Sequence, residues 1–260
     1  MKLAVVVQRY GADINGGAEL HARYIAERLS KHAAVRVLTT CARDYVTWRN
    51  ELPAGDDQVN GVSVERFPVD RERETEDFGR RSERVFNHTH SLADELRWLD
   101  SEGPTSRSLI QRLRRARGEF DFVLLFSARY YHAYHGARAV SDRAVLIPTA
   151  EREPAIALRM FQPIFRGVRA IMYNSFEERA LIRSVSNNAD VPGVIVGVGS
   201  IDYPAEFRGA DPMESAMGLL GYAMQMADER QTCPRDAYRW PRIVPSVALR
   251  RWSDLNLGLE

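Results

Sequence analysis

An α/β fold built on a doubly wound, mostly parallel sheet is predicted by three features of the sequence. Seven short apolar runs, starting at Leu3, Val35, Val62, Phe122, Ala144, Val168 and Val194, have the length and β-branched content of buried strands. Most of them alternate with segments of helical spacing. No internal repeat is present, so a solenoid is not expected, and the alternation favours a doubly wound sheet over a barrel or sandwich.

The first run, Leu3 to Val7, is followed by a loop from Gln8 to Asn15 and by Gly16-Gly17. A helix is expected over Ala18 to Ser30, where Leu20, Tyr24, Ile25 and Leu29 recur on one face without proline or glycine. Val35 to Leu38 completes a strand, helix, strand crossover. Asn60-Gly61 reads as a turn into a half-exposed strand, Val62 to Phe67, with Val62, Val64 and Arg66 on one side. After a charged stretch from Asp70 to Arg84, Val85, Leu92, Leu96 and Leu99 form a sparse stripe for one outer helix, stopped by Gly103-Pro104. A short basic helix over 106–117 precedes the strand Phe120 to Phe126. Then follow a helix or loop from Tyr130 to Val140, a strand at Ala144 to Ile147, and a helix from about Pro154 to Phe165. Val168 to Tyr173 and Val194 to Val198 are strands around a helix from Phe176 to Ser184.

Beyond Tyr203 the alternation stops. The expected organisation is therefore one α/β domain over 1–205 and an irregular or helical appendage over 206–260, packed on the first domain or on a partner. Composition excludes several classes. The chain has 260 residues and a formal charge of +1, from 36 basic and 35 acidic residues, so no global attraction to nucleic acid or anionic membrane is built in. Only Lys2 and Lys31 are lysines, a bias that lowers the evidential worth of any single arginine. No run reaches the ~18 apolar residues of a membrane span, no secretory leader is evident, and the expected location is the cytoplasm. Cys41 and Cys233 imply neither a disulfide framework nor a thiolate cage. His88, His90, His132 and His135 lack a ligand set, so no metal site is expected.

Candidate site residues gather after the apolar runs, because open α/β sheets bind ligands at the carboxyl ends of their strands. Gly16 and Gly17 permit close approach of a phosphate or sugar to backbone donors at a helix start, or form a plain structural turn. Glu19 and His21 face the same cleft or serve capping and surface roles. In Ser127-Ala128-Arg129-Tyr130-Tyr131-His132, His132 suits proton handling, Arg129 a phosphate, and Tyr130 or Tyr131 a sugar-stacking wall, with core packing the alternative for each. Thr149 and Glu151 supply a hydroxyl and a carboxylate, or cap the next helix. Asn174 precedes Ser175 and Glu178, which form a capping-box pattern. Neither the three-glycine dinucleotide fingerprint nor a phosphate loop or nucleophile elbow is present.

Taken together, Gly16-Gly17-Ala18-Glu19-Leu20-His21, Pro148-Thr149-Ala150-Glu151 and Tyr173-Asn174-Ser175-Phe176-Glu177-Glu178-Arg179 resemble the N-terminal, acceptor-side domain of retaining glycosyltransferases of the GT-B fold. The resemblance covers about residues 1–205 and implies a Rossmann-like half-domain. It implies transfer of a sugar from a nucleotide sugar to a glycan or lipid acceptor with retention, without a metal or other cofactor. It places Gly16 and Gly17 near the donor phosphates, His132 near the sugar, and His21 and Glu19 near the cleft, with Arg129, Tyr131, Thr149, Glu151 and Asn174 as substrate contacts. The family's second, donor-binding domain is expected to be missing or severely reduced, because only 55 residues follow position 205. Glu206 and Glu214 echo the spacing of a donor-side carboxylate pair, as a coincidence or remnant or as a reduced donor motif. Activity with a separately encoded donor-domain partner, or as a homo-oligomer, is one expectation. A noncatalytic glycan- or nucleotide-binding protein and a purely structural relative are the alternatives.

Overall fold

The computed structural model describes residues 1–116 and 118–197. Residues 206–260, with Glu206, Glu214 and Cys233, and the end of the last apolar run at Val198, lie outside the described residues.

The chain opens with β1 (Lys2–Val6), α1 (Gly17–Leu29), β2 (Ala34–Thr40), β3 (Gly55–Val59) and β4 (Val62–Phe67). It continues through α2 (Thr75–Asn87), α3 (Leu92–Glu102), α4 (Arg107–Arg115), β5 (Phe122–Phe126), α5 (Tyr131–Ala139) and β6 (Ala144–Ile147). Two 3₁₀ turns, Pro154–Ala157 and Arg159–Phe161, then lead into α6 (Gln162–Gly167), β7 (Ala170–Tyr173), α7 (Phe176–Ser186) and β8 (Gly193–Ile195). The eight strands form one sheet in the order β3-β4-β2-β1-β5-β6-β7-β8. Every pairing is parallel except β3 with β4. The chain winds outward from β1 to one edge, returns to β1's other side at β5, and winds to the opposite edge. This is the doubly wound, Rossmann-like fold expected of the sequence.

Alternation along the central strands divides the core into two layers. Ala4, Val6, Val123 and Leu125 pack with Trp98 of α3, Leu109 and Leu113 of α4, and Ala133 and Ala137 of α5. The intervening residues Leu3, Val5, Leu124 and Phe126 are wholly buried on the other face, where the His21 ring of α1 meets Phe126 edge-on at 5.5 Å between centroids. Both faces are covered, so the central strands read as continuous apolar runs.

Three expectations are corrected. The half-exposed strand Val62–Phe67 is paired to an eighth strand, β3, through the turn at Asn60 and Gly61, both with positive φ. Its sequence, Gly-Asp-Asp-Gln-Val, lacks an apolar signature because it lies exposed at the sheet edge. The single outer helix is two, α2 and α3, because Ser91 starts a new helix with a reciprocal Ser91–Asp94 capping box. The helix from Pro154 to Phe165 is two 3₁₀ turns and a short α6, since Glu95, wholly buried on α3, draws the Met160 amide at 2.8 Å and pins the segment out of helical register.

Gly136 sets how closely α5 approaches β5. A Cβ there would lie 2.8 Å from Leu125 Cδ2 and 3.2 Å from Leu113 Cδ1. Gly136→Val is therefore expected to destabilise the protein by about 1–3 kcal/mol through overpacking. Urea unfolding checks this, and an unchanged midpoint would show that the contact is not tight.

Candidate functional site

The strand order reverses between β1 and β5, so the loops leaving their carboxyl ends diverge and leave a crevice. The segment after β1 carries Gln8 to Asn15 and delivers the N-terminus of α1 at Gly16-Gly17. The segment after β5 carries Ser127 to Tyr130 and delivers α5. Pro148 to Glu153 after β6 and Asn174-Ser175 after β7 continue the same edge.

The first loop is shaped by arginines. Arg23, on α1, donates through one terminal nitrogen to the carbonyls of Gly11 at 2.6 Å and Ala12 at 2.5 Å. Arg66, buried on β4, donates to the Tyr10 carbonyl at 2.6 Å and holds Asp57 at 2.8 Å. Arg9 donates through Nε to Glu19 Oε1 at 2.8 Å and through a terminal nitrogen to the Arg43 carbonyl at 2.8 Å. Glu19 is thus buried in an ion pair beneath the loop.

The glycine pair divides into two roles. A Cβ on Gly16 would fall 2.2 Å from Glu19 Oε2, so Gly16 leaves room for the Arg9–Glu19 pair. A Cβ on Gly17 would meet nothing within 4 Å. Gly16 is the N-cap of α1, and among the described residues no side chain caps the helix. The first-turn amides and the positive end of the helix dipole are therefore open at exposed Gly17.

The two histidines flank Phe126 and are both enclosed. His21 lies edge-on to the Phe126 ring, and burial pulls its pKa down to about 4. His132, 1% exposed, donates from Nε2 to the Phe126 carbonyl at 2.9 Å, and burial pulls its pKa down to about 4 as well. Both are neutral at pH 7, and the Nδ1 atom of each is buried without a hydrogen-bond partner. Tyr130 stacks on His132 at 6.3 Å and meets Trp48 edge-on at 5.6 Å.

Arg129 belongs to a charge network. Its Nε lies 2.8 Å from Glu102 Oε1, and a terminal nitrogen donates to Glu153. Glu102 is shared with Arg73, whose terminal nitrogen is 2.9 Å from Oε2 and whose Nε donates to the Glu102 carbonyl at 3.0 Å. Burial pushes the carboxyl groups of Glu102 and Glu153 upward against the pull of Arg129. Arg129 and Glu153 line a small recess with room for about one water, ≈ 10 Å³, together with Thr149, Pro148, Ile156 and Phe161. Ser127 and Thr149 both have positive φ, 62° and 47°, and Thr149 donates its hydroxyl to Ser127 Oγ at 3.0 Å. Non-glycine residues adopt this region at a cost of ~1–3 kcal/mol each, and here two adjacent strand ends hold each other in it.

Glu178 ties the next two strand ends together. Its buried carboxylate accepts from the Ala150 amide at 2.6 Å and the Asn174 amide at 2.5 Å, while Ser175 Oγ accepts from the Glu178 amide at 3.1 Å. Only half of the expected capping box forms, because the carboxylate reaches across to β6 rather than back to Ser175. Asn174 Oδ1 is buried without a partner.

No protein-family model matches the sequence, and no curated protein matches it. Among solved structures, the chain is similar to one described as "Trehalose-6-phosphate from E. coli bound with UDP-2-fluoro glucose". The identity is 14% and the TM-score 0.47, over 84% of this chain and 53% of that one. It is also similar to sucrose-phosphate synthase from Thermosynechococcus elongatus, with 10% identity and a TM-score of 0.47 over 79% of this chain and 50% of that one. The likeness to these GT-B glycosyltransferases is distant. The chain spans about half the length of each.

The expected site residues thus separate by position. Gly16, Gly17 and Glu19 lie at the start of α1 after β1, His21 and His132 are enclosed on either side of Phe126, and Arg129 and Thr149 line the recess after β5 and β6. Tyr131 does not join them: its ring is tilted against His135, 4.3 Å between centroids, within the core. Glu151 is exposed at the rim, and Glu153, two residues on, lines the recess instead. Pro154, which starts the next turn, holds Glu153 in an extended backbone conformation, but nothing in the sequence marks its side chain for the recess. Nothing in the sequence marks Arg9, Arg73 or Glu102, which are joined only by the fold. Among the described residues, no group of three His, Cys, Asp or Glu side chains is arranged to hold a metal ion, and no helix is long and apolar enough to cross a membrane.

Two predictions follow from this geometry. Gly16→Ala is expected to cost about 1–3 kcal/mol by expelling Glu19 from Arg9, whereas Gly17→Ala leaves the urea midpoint nearly unchanged; equal effects would contradict the division of roles. The second concerns Glu178, whose pKa burial raises from 4.5 to about 6. The native state then binds its proton more tightly than the unfolded chain, so its contribution to stability is full below pH ~4.5 and is lost as pH rises through ~6. Relative to Glu178→Gln, the wild type should lose about 2 kcal/mol of unfolding free energy between those limits. A pH-independent difference between the two proteins would overturn the assignment.

Proposed function

We propose that the β1–β5 crevice binds the phosphates of a nucleotide sugar, and that the chain acts as the acceptor-side half of a glycosyltransferase completed by a donor-binding partner. The observation that carries this reading is the uncapped N-terminus of α1, opening at Gly17 beside the reversal of strand order. Its amides, which have no side-chain cap among the described residues, and its positive dipole suit a phosphate, and they stabilise the diphosphate further as it leaves with growing negative charge. Gly17 allows the ligand to approach the backbone, and His21 and His132 enclose the floor. Retention, the particular sugar and the acceptor belong to this proposal and rest on the resemblance of the glycine-pair, Pro148–Glu151 and Tyr173–Arg179 segments to the GT-B family.

A second reading has its own support. Glu19, Arg129 and Glu153 are engaged in internal ion pairs and His132 is enclosed, an arrangement suited to binding without proton transfer. Turnover assays with and without co-purified partners separate the two readings.

Calorimetric titration with UDP-, GDP- and dTDP-sugars tests the site itself. The wild type should show saturable binding to at least one of them. Gly17→Asp should weaken it roughly tenfold or more by placing a carboxylate where the phosphate sits, while the acidic first-turn residue leaves the helix stable. A folded wild type with no saturable heat for any member, or a Gly17→Asp protein that binds equally well, would sink the proposal.

A further inference from the structure

The strand-end edge carries an unmet hydrogen bond at its centre, where β1 and β5 lie side by side. Gln8 follows β1 after Val7 and is 3% exposed, and its Oε1 is buried without a hydrogen-bond partner among the described residues. Buried side-chain acceptors are ordinarily satisfied, so one left open at the reversal of strand order points to a group that arrives from outside the chain. We propose that Gln8, together with Ser127, reads a hydroxyl group of the ligand whose phosphate lies at α1, and that the bound class is a phosphate ester of a polyhydroxy compound. This deepens the crevice reading and rests on it.

Backbone pairing fixes where Gln8 stands. The Val7 amide donates to the Leu38 carbonyl at 3.3 Å, Thr39 Oγ1 donates to the Val7 carbonyl at 2.9 Å, and Thr40 Oγ1 donates to the Gln8 carbonyl at 2.6 Å. The path of β1 is thus held beside β2 past Val6 by two wholly buried threonines. On its other side Val6 is level with Leu125, and the same register carried two residues further sets Gln8 level with Ser127. Gln8 opens the loop that delivers Gly16 and Gly17, and Ser127 opens the segment that delivers α5, so the pair stands where the two connections part.

A hydroxyl is the group this pair suits. Gln8 Oε1 can only accept. Ser127 is 2% exposed, its Oγ accepts from Thr149 Oγ1 at 3.0 Å, and its own O–H has no acceptor among the described residues. One acceptor and one donor therefore stand open at the same level of the sheet, and a hydroxyl both donates and accepts. Charged groups fit poorly. A phosphate or carboxylate oxygen would face Gln8 Oε1 lone pair to lone pair, and the adjacent cation, Arg9, is committed to Glu19 and to the Arg43 carbonyl. An ammonium group would find Glu19 already held by Arg9. The anion belongs at the α1 N-terminus and the neutral, hydroxylated part at Gln8 and Ser127, where an analogue lacking the hydroxyl would leave buried polar groups unpaired.

The test is calorimetric titration of the full chain at low ionic strength with glucose, galactose and mannose 1-phosphates and with methyl phosphate, which keeps the ester phosphate but has no carbon-bound hydroxyl. It compares wild type, Gln8→Met, which keeps the side-chain length without the amide, and Gly17→Asp. Wild type should bind at least one hexose phosphate about fivefold or more tighter than methyl phosphate, and Gln8→Met should remove that preference while binding methyl phosphate as before. The urea midpoint of Gln8→Met should be unchanged or higher, because the substitution removes an acceptor that the fold does not satisfy. A lowered midpoint, or failure to fold, would show an amide satisfied inside the protein by an ordered water only and would overturn the proposal. A folded wild type with no preference for any hexose phosphate, or a preference kept in Gln8→Met, would overturn it as well. Gly17→Asp should weaken every probe alike, so failure of the crevice reading shows in Gly17→Asp and failure of this inference in Gln8→Met.

Discussion

Guanidinium groups closing main-chain carbonyls are the interaction on which the site edge depends. A parallel sheet releases its strands side by side at one end, and the loops that leave them have no ladder to satisfy their backbone groups. Arg23 gathers the carbonyls of Gly11 and Ala12, Arg66 takes that of Tyr10, and Arg73 takes that of Glu102. Each replaces water with a charged donor that can serve several acceptors from one plane, which an ammonium group cannot reproduce. The loop from Gln8 to Asn15 consequently has a defined path without regular structure, and that path fixes where α1 begins.

This device carries an electrostatic cost that the protein meets by sharing charges. Glu102 is nearly enclosed, and burial raises its carboxyl pKa in spite of Arg129 and Arg73 beside it. Desolvation of a buried pair generally rivals its Coulomb attraction, so the network contributes geometry more than stability. Trp48 donates to the Glu102 carbonyl at 2.7 Å, and the Arg73 guanidinium lies 4.8 Å from the Trp48 ring, so aromatic surface and charge hold the β2 and α3 ends together. Arg129 lies between two carboxylates in the same arrangement, within 2.8 Å of Glu102 and hydrogen-bonded to Glu153.

Neutral histidines flank Phe126. A carbonyl accepts from His132 Nε2, which leaves Nδ1 unprotonated within a fully enclosed position, and His21 has a likewise unpartnered Nδ1 across Phe126. Charging either would place a cation in the core without a counter-ion. Their enclosure therefore favours packing around Phe126 over cycling protons.

The sequence by itself determined the doubly wound layers, the sites of seven strands and the line of strand-end segments along one edge, because burial on both sheet faces demands continuous apolar runs and the helices between them repeat at 3.6 residues. The exposed edge strand β3 stayed hidden for the same reason, since its pairing is made by backbone groups and its side chains carry almost no burial signal. The division of α2 from α3 was readable in Ser91 and Asp94, but the apolar stripe ran across it. Gly16 and Gly17 were legible as a pair and not as two roles, because Glu19 returns beneath Gly16 only when Arg9 is folded above it. The roles of Arg129, Glu151, Glu153 and Tyr131 depended on which way each side chain turns and on Glu102 and Arg73, distant in the chain. Tertiary structure alone decided those, because an ion pair is selected by proximity across elements and leaves no periodicity in the sequence.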